Sequence, residues 1–210
     1  AENPQLLAFE NLQNTYTKAD NVLFVIAPAD GKVFTPQTLE AVEWLTEQAW
    51  QIPYSIRVDS LSNFQHTYAE GDDLIVEDLV MDAAQLSPAE LEKIRTVAIQ
   101  EPLLVNRIVS PAGHVTAVNV IIQLPGIAPA AEVPEVVGFS RDRARQLTER
   151  YPQLEVHLTG IVLLNNAFTE QAIKDLLTLV PAMFGIISLI LAVLLRSLWG
   201  TLATLLVITR

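Results

Sequence analysis

The chain has 210 residues, of which half are hydrophobic and 18% are charged, a balance that excludes an intrinsically disordered protein and favours a membrane segment. It carries 13 Lys and Arg against 24 Asp and Glu, a net charge of −11, which argues against nucleic acid as a partner. It has no cysteine, which excludes a disulfide scaffold, a thiolate zinc site and thiol catalysis.

The first third of the chain predicts alternating strands and helices. Residues 21–28 form an apolar, β-branched run typical of a buried strand. Thr35 is an N-cap ahead of an amphipathic helix over residues 36–50. Residues 56–61 alternate as a half-buried strand. We expect that strand to continue through residues 63–68.

The middle of the chain predicts an acidic surface, a helix and a hairpin. Residues 70–82 hold six acids and no base, which indicates a solvated edge or loop. Ser87-Pro88-Ala89-Glu90 is a capping box that predicts a helix to about residue 100. Residues 103–109 and 115–124 are β-rich runs around a Pro-Gly turn, and they predict a β-hairpin.

The remaining soluble segment completes the fold prediction. Residues 125–134 are expected to form a loop, residues 136–150 a helix and residues 154–158 a strand. This order predicts an α+β domain over residues 1–160, a ferredoxin-like split β-α-β unit with an inserted helix.

An uncharged run at residues 176–195, between Asp175 and Arg196, predicts a transmembrane helix. Twenty residues at about 1.5 Å each span roughly 30 Å, the thickness of a bilayer core. Residues 161–175 are then a connector, and residues 198–210 are the start of a second, truncated transmembrane helix, with Trp199 at the interface. Because the chain begins Ala1-Glu2-Asn3-Pro4 and stops within this apolar run, we expect a fragment of a longer protein. The alternative is a soluble protein with a buried C-terminal helix.

Charge is divided unevenly along the chain. Residues 1–175 carry 11 basic and 24 acidic groups, a net charge of −13, whereas the tail carries two Arg and no acid. Since positive residues in short loops prefer the cytoplasm, we expect Arg196 on the cytoplasmic side and residues 1–175 on the opposite side of the membrane.

Catalytic and metal motifs are not a feature of this sequence. It contains no phosphate-binding loop, dinucleotide fingerprint or metalloprotease motif, and its three His are far apart. Asp59-Ser60 near His66 is interpreted as a structural turn rather than part of a hydrolase triad. The acids of residues 70–82 are interpreted as a solvated face rather than a Ca²⁺ cage, and Asn165-Asn166 as capping groups.

The segments at residues 58–66, 70–74 and 76–79 resemble the first extracytoplasmic domain of predicted exporters of the resistance-nodulation-division (RND) superfamily. Its nearest branch includes the mycobacterial large membrane proteins (MMPL) and hopanoid-type lipid exporters. The likeness covers nearly the whole chain, and its specific part is the stretch from Asp59 to Asp78. The motif residues are Asp59, Ser60, Asn63, Gln65, His66, Gly71, Asp72, Asp73, Asn166 and Phe168.

The resemblance implies a secondary transporter rather than an enzyme, with no cofactor. The full protein would have twelve membrane helices in two halves, each half with a periplasmic porter domain, and would export hydrophobic, amphiphilic or lipid-like molecules across the bacterial inner membrane. Proton antiport would use acids in helices outside this chain. Its partners would be the substrate, the bilayer, the other helices, the second porter domain and, in a homo-oligomer, further copies. Candidate substrate contacts are Phe64, His66, Tyr68 and Phe168.

Two other functions remain open from the sequence. One is a membrane-anchored lipid-binding or adaptor module without transport activity. The other is an anchored enzyme that uses Asp59, Ser60 or His66, in which case single alanine substitutions would abolish turnover and leave the fold intact.

Overall fold

A computed structural model describes residues 3–15 and 20–196 of the chain. Its contacts divide the protein into two units, Ala1–Asn166 and Ala167–Arg210. The elements are α1 (Pro4–Thr15), β1 (Asp20–Pro28), α2 (Pro36–Ala49), β2 (Ser55–Asp59), β3 (Gln65–Glu70), β4 (Asp73–Asp78), a 3-10 helix (Ala83–Gln85), α3 (Pro88–Gln100), β5 (Thr116–Ile122), α4 (Pro129–Arg150), β6 (Leu154–Thr159) and α5 (Ile161–Leu195).

The main sheet of the first unit has the strand order β2-β5-β1-β6. All neighbouring strands are antiparallel, so β1 and β2 run parallel to each other and are connected through α2. The second half repeats the pattern, since β5 and β6 are joined by α4. This is the split β-α-β arrangement, and it confirms the predicted α+β fold with an insertion between β2 and β5.

Helices α2 and α4 cover one face of the main sheet. Alternate residues of β1, including Val22, Phe24 and Ile26, are fully buried toward the helices. Leu45 of α2 and Leu147 of α4 are likewise completely buried. Burying a side chain of this size stabilises the fold by about 1.5–3 kcal/mol. This layer is therefore the hydrophobic core of the unit.

The segment inserted between β2 and β5 forms a second, two-stranded sheet. Strand β2 ends at Asp59, and β3 pairs only with β4. The prediction that the strand at residues 56–61 continues through residues 63–68 is therefore wrong, because Gln65–Glu70 form a separate strand in another sheet. The reason is a side-chain-bonded turn at residues 60–64, which redirects the chain. Gly71 has φ +63° at the first position of the two-residue turn between β3 and β4, a conformation that favours glycine.

The predicted β-hairpin at residues 103–124 is half correct. Strand β5 forms, but residues 103–109 are turns with only isolated bridges, such as Val105 to Val109. The Leu104 carbonyl accepts hydrogen bonds from the backbone N–H groups of residues 107, 108 and 109. Asn106 turns the chain at φ +63°. These local bonds replace the ladder that a strand would need.

Helix α4 begins at Pro129, so the predicted loop at residues 125–134 ends at Ala128. The buried carboxylate of Glu132 accepts hydrogen bonds of 2.8–2.9 Å from the backbone N–H groups of Gly126, Ile127 and Ala128. These bonds fix the loop against the first turn. Pro134 lies inside the helix.

Helix α5 contains both the predicted connector and the predicted membrane segment. It begins directly after Gly160, whose φ is +118° and whose hypothetical Cβ would lie 2.4 Å from the backbone oxygen of Asn21. Within residues 3–15 and 20–196, α5 is the one helix long and apolar enough to cross a membrane. Arg196 follows it at φ +45°. Trp199 and the predicted second membrane helix at 198–210 lie outside the described residues.

Candidate functional site

The turn that ends β2 is a buried network of hydroxyl and amide groups. The Ser60 Oγ donates to Asn63 Oδ1 at 2.9 Å and accepts from the Ser62 backbone N–H at 3.2 Å. Ser62 Oγ in turn donates to Thr46 Oγ1 on α2 at 3.0 Å. Asn63 Nδ2 donates to the Val58 carbonyl at 2.7 Å. Ser60 is 2% exposed, so this network fastens the turn to α2.

This geometry gives Ser60 a structural position. Its hydroxyl is buried, its hydrogen bonds all go to turn and helix residues, and His66 is not among its partners. A nucleophilic serine needs a bonded base and access to substrate. Asp59, the neighbouring residue, forms an ion pair with Arg57 at 2.7 Å, and within the described residues no carboxylate is among the hydrogen-bond partners of the Ser60 hydroxyl.

Two of the candidate substrate residues share one face of the β3–β4 hairpin. The rings of His66 and Tyr68 stack with their centroids 5.5 Å apart, and His66 lies opposite Glu77 in the strand register. Together with α3 this face encloses a cavity of about 170 Å³. The cavity is lined by His66, Glu77, Asp78, Leu79, Met81, Leu86, Glu90, Lys93, Ile94 and Val97.

Charged groups surround this hairpin cavity. A hydrogen bond to Glu77 raises the pKa of the Tyr68 hydroxyl, and Lys93 Nζ lies 4.7 Å from the centre of the Tyr68 ring. Glu90 is engaged by Ser87, whose hydroxyl and backbone N–H lower the pKa of that carboxyl. Small-molecule sites usually measure 300–1,000 Å³, so this cavity is smaller than such sites usually are. We interpret its lining residues as the packing contact between the hairpin and α3.

A larger cavity lies on the other face of the main sheet. It measures about 380 Å³ and is lined by Asn21, Leu23, Arg57, Asp59, Phe64, Leu103, Leu104, Arg107, Ile108 and Asn119. We call it the sheet-face groove. Phe64 lies here, whereas His66 lies in the hairpin cavity, so the turn separates two candidates that are neighbours in sequence. Sequence reasoning missed Arg107 and Asn119, because only the fold brings them to Asp59.

The other motif residues lie in the strands of the hairpin, at its tip and on α5. Gln65 bonds Asp78 across the hairpin, while Gly71, Asp72 and Asp73 form its exposed tip.

Asn166 is 4% exposed in the second turn of α5. Phe168 belongs to the second unit, where it is 68% exposed on α5. Asp175 accepts a hydrogen bond from Gln171 at 2.7 Å on the same helix.

A comparison with known protein families decides the membership of the chain. The model described as "MMPL family" matches residues 13–209, nearly the whole sequence. The chain belongs to the MMPL family. No curated protein matches it. The MMPL match confirms the resemblance to the RND superfamily, and it identifies the protein as a member of a family of membrane transporters.

Metal binding and small-molecule binding are the two kinds of site to consider in this MMPL protein. Within the part of the chain that the structure describes, no three His, Asp or Glu side chains form a metal-binding group. His114 is bonded to Ser110 at 3.0 Å and His157 to Glu155 at 3.2 Å. The sheet-face groove combines apolar side chains with cationic, anionic and amide groups, and its volume falls within the usual range of small-molecule sites.

Proposed function

We propose that this MMPL chain is part of a proton-driven exporter of hydrophobic, amphiphilic or lipid-like molecules, of the hopanoid-exporter type, in the bacterial inner membrane. Its α+β domain would lie in the periplasm and handle substrate there. The observation that carries the proposal is the family match over residues 13–209, which includes both the α+β domain and the apolar helix α5. Phe64, His66, Tyr68 and Phe168 remain the proposed substrate contacts.

Two features support the periplasmic location. The net charge of −13 over residues 1–175 is separated by an uncharged run from Arg196, which is the arrangement expected when Arg196 is cytoplasmic. Helix α5 supplies the apolar length needed between the two sides.

The absence of cysteine makes the topology directly testable. Asp72→Cys, at the exposed hairpin tip, is expected to react with a membrane-impermeant maleimide in intact spheroplasts. Arg196→Cys is expected to react only after permeabilisation. Labelling of Asp72→Cys only after permeabilisation contradicts a periplasmic domain.

Transport is tested with the parent protein in proteoliposomes. We expect an imposed proton gradient to drive movement of a fluorescent single-chain amphiphile, and an uncoupler to abolish it. Phe168→Ala is expected to slow this movement, whereas Trp50→Ala, a control of similar exposure (52% against 68%) in the α+β domain, is not. Amphiphile binding without gradient-dependent movement would instead identify a lipid-binding or adaptor module.

A further inference from the structure

Half of the residues that line the sheet-face groove are apolar. They are Leu23, Phe64, Leu103, Leu104 and Ile108, of which Leu103 is 59% exposed. A second cavity of about 290 Å³ shares Leu23, Arg107 and Ile108 with it. Apolar space therefore continues past Arg107, and the groove falls within the usual size of small-molecule sites.

The cations of the groove differ in their pairing. Arg57 is paired with Asp59. Arg107 is exposed, and within the described residues its guanidinium has neither an ion pair nor a side-chain hydrogen bond. The chain has a net charge of −11. The guanidinium of Arg107, beside an apolar groove, is therefore the group with which an anionic head group would form an ion pair. Guanidinium binds carboxylate or phosphate through two parallel hydrogen bonds.

Amide groups complete the floor of the groove. Asn21 Nδ2 donates to Asn119 Oδ1 at 2.9 Å, and Asn21 Oδ1 accepts from the backbone N–H of Ile161 at 3.2 Å. Asn21 therefore connects the groove to the first residue of α5. A ligand that contacts this amide pair would lie next to the point where that helix begins.

We infer that the sheet-face groove binds a single-chain amphiphile with an anionic head group, with Arg107 contacting the head and Leu23, Phe64 and Ile108 contacting the chain. The inference rests on the proposed function for the general class of cargo. It adds the location of the site, the sign of the head group and the residue that recognises it.

The test is a displacement assay with the full chain in phosphatidylcholine nanodiscs, with protein-free nanodiscs as the blank. The reporter is dansylaminoundecanoic acid, a fluorescent carboxylate amphiphile. Decanoate is the competitor of interest, decan-1-ol is its uncharged counterpart, and acetate is an anion without a chain. We expect decanoate to displace the reporter at least tenfold more effectively than either of the others.

Arg107→Gln is expected to weaken decanoate binding about tenfold, the size of one charge-assisted contact, and Arg107→Lys to weaken it less. Arg145→Gln removes the same charge from an exposed position on α4, outside the groove, and is expected to leave binding unchanged. Circular dichroism checks that each variant is folded.

Equal loss in Arg107→Gln and Arg145→Gln overturns the inference, and so does displacement by decan-1-ol as effective as that by decanoate. Because the assay uses no proton gradient, its outcome is independent of transport. Specific decanoate binding without gradient-driven movement in proteoliposomes would leave the groove assigned and reject the proposed exporter function.

Discussion

The main sheet and the β3–β4 hairpin differ in how much of their apolar surface is buried, although both belong to the same domain. In the main sheet, β1 alternates between fully buried residues such as Phe24 and half-buried ones such as Leu23. In the hairpin, no residue of either strand is fully buried, and Leu74 and Val76 are 72% and 54% exposed. Hydrophobic burial therefore stabilises the first sheet and contributes much less to the second.

The difference bears on which residues the fold requires. Substitution of a core residue of β1 changes packing, so the identity of that residue reflects stability. The hairpin is held by a few specific contacts, including the Leu79 N–H to Phe64 carbonyl bond of 2.8 Å and the contact of Lys93 with Tyr68. Five of the ten motif residues, Gln65, His66, Gly71, Asp72 and Asp73, lie in this hairpin, where core packing does not dictate them. This is where residues selected for function are expected.

Gly160, directly after β6, is a position where a single methyl group is expected to destabilise the main sheet. Gly160→Ala places a Cβ 2.4 Å from the Asn21 backbone oxygen at φ +118°, which no side-chain movement relieves. We expect a loss of about 3 kcal/mol or more in the free energy of unfolding, or a Tm lower by roughly 6–12 °C. Near-ultraviolet circular dichroism of the chain in detergent measures it.

Gly31→Ala is the matched control. Gly31 also has a positive φ, +67°, but its hypothetical Cβ meets nothing within 4 Å. The expected cost is about 1 kcal/mol, from the backbone conformation alone. Equal effects of the two substitutions would show that the close approach to Asn21 is unimportant.

The turn between the two regions gives the next largest effect. Ser60→Ala leaves the backbone N–H groups of Ser62 and Asn63 without their buried acceptor, and we expect a loss of about 2 kcal/mol. Ser110→Ala removes a hydroxyl that also accepts two backbone N–H bonds, from His114 and Val115, but at a less buried turn. Its expected cost is about 1 kcal/mol. Thermal unfolding of both variants distinguishes a buried network from an ordinary turn; an unchanged Tm for Ser60→Ala contradicts the structural role.

The sequence predicted the elements whose signals are local. The apolar run of β1, the Thr35 cap of α2 and the capping box at Ser87 each depend on neighbouring residues, and each is present in the structure. The order of these elements was enough to predict the split β-α-β topology.

It could not predict features that depend on contacts between distant residues. Residues 103–109 are rich in Leu, Val and Ile and so suggested a strand, but Leu104, Ile108 and Val109 are buried in consecutive turns. The requirement for glycine at position 160 comes from Asn21, and the groove exists because the fold places Arg107 beside Phe64. No periodicity in the sequence encodes either contact.

Acid is expected to weaken the core unit through Glu132. The backbone N–H groups of Ala128, Gly126 and Ile127 lower the pKa of this carboxyl from its usual 4.5. A carboxyl with a lower pKa in the folded state contributes stability above the unfolded pKa and loses that contribution as pH falls through the folded pKa. The Tm difference between the wild type and Glu132→Gln should therefore be largest near neutral pH and shrink below pH 4.5.

Glu149→Gln is the control for this titration. Glu149 is exposed, and its ion pair with Arg145 is weak because the two groups lie 4.0 Å apart, at the limit of ion-pair distance. We expect its Tm to differ little from the wild type at any pH. A Tm difference for Glu132→Gln that stays constant from pH 7 to pH 3 would contradict the role of the ionised carboxylate.

The smallest expected effect tests whether the hairpin opens independently of the main sheet. Lys93→Met removes the cation 4.7 Å from the Tyr68 ring, a contact that contributes about 0.5–1 kcal/mol at an exposed site. Hydrogen exchange of the β3 and β4 amides should become about two- to fivefold faster, while exchange in β1 and β5 stays unchanged. Lys32→Met, in the turn after β1, should alter neither sheet. Equal acceleration in both sheets would show that the hairpin and the core unfold as one unit, since local opening confined to the hairpin leaves the buried strands protected.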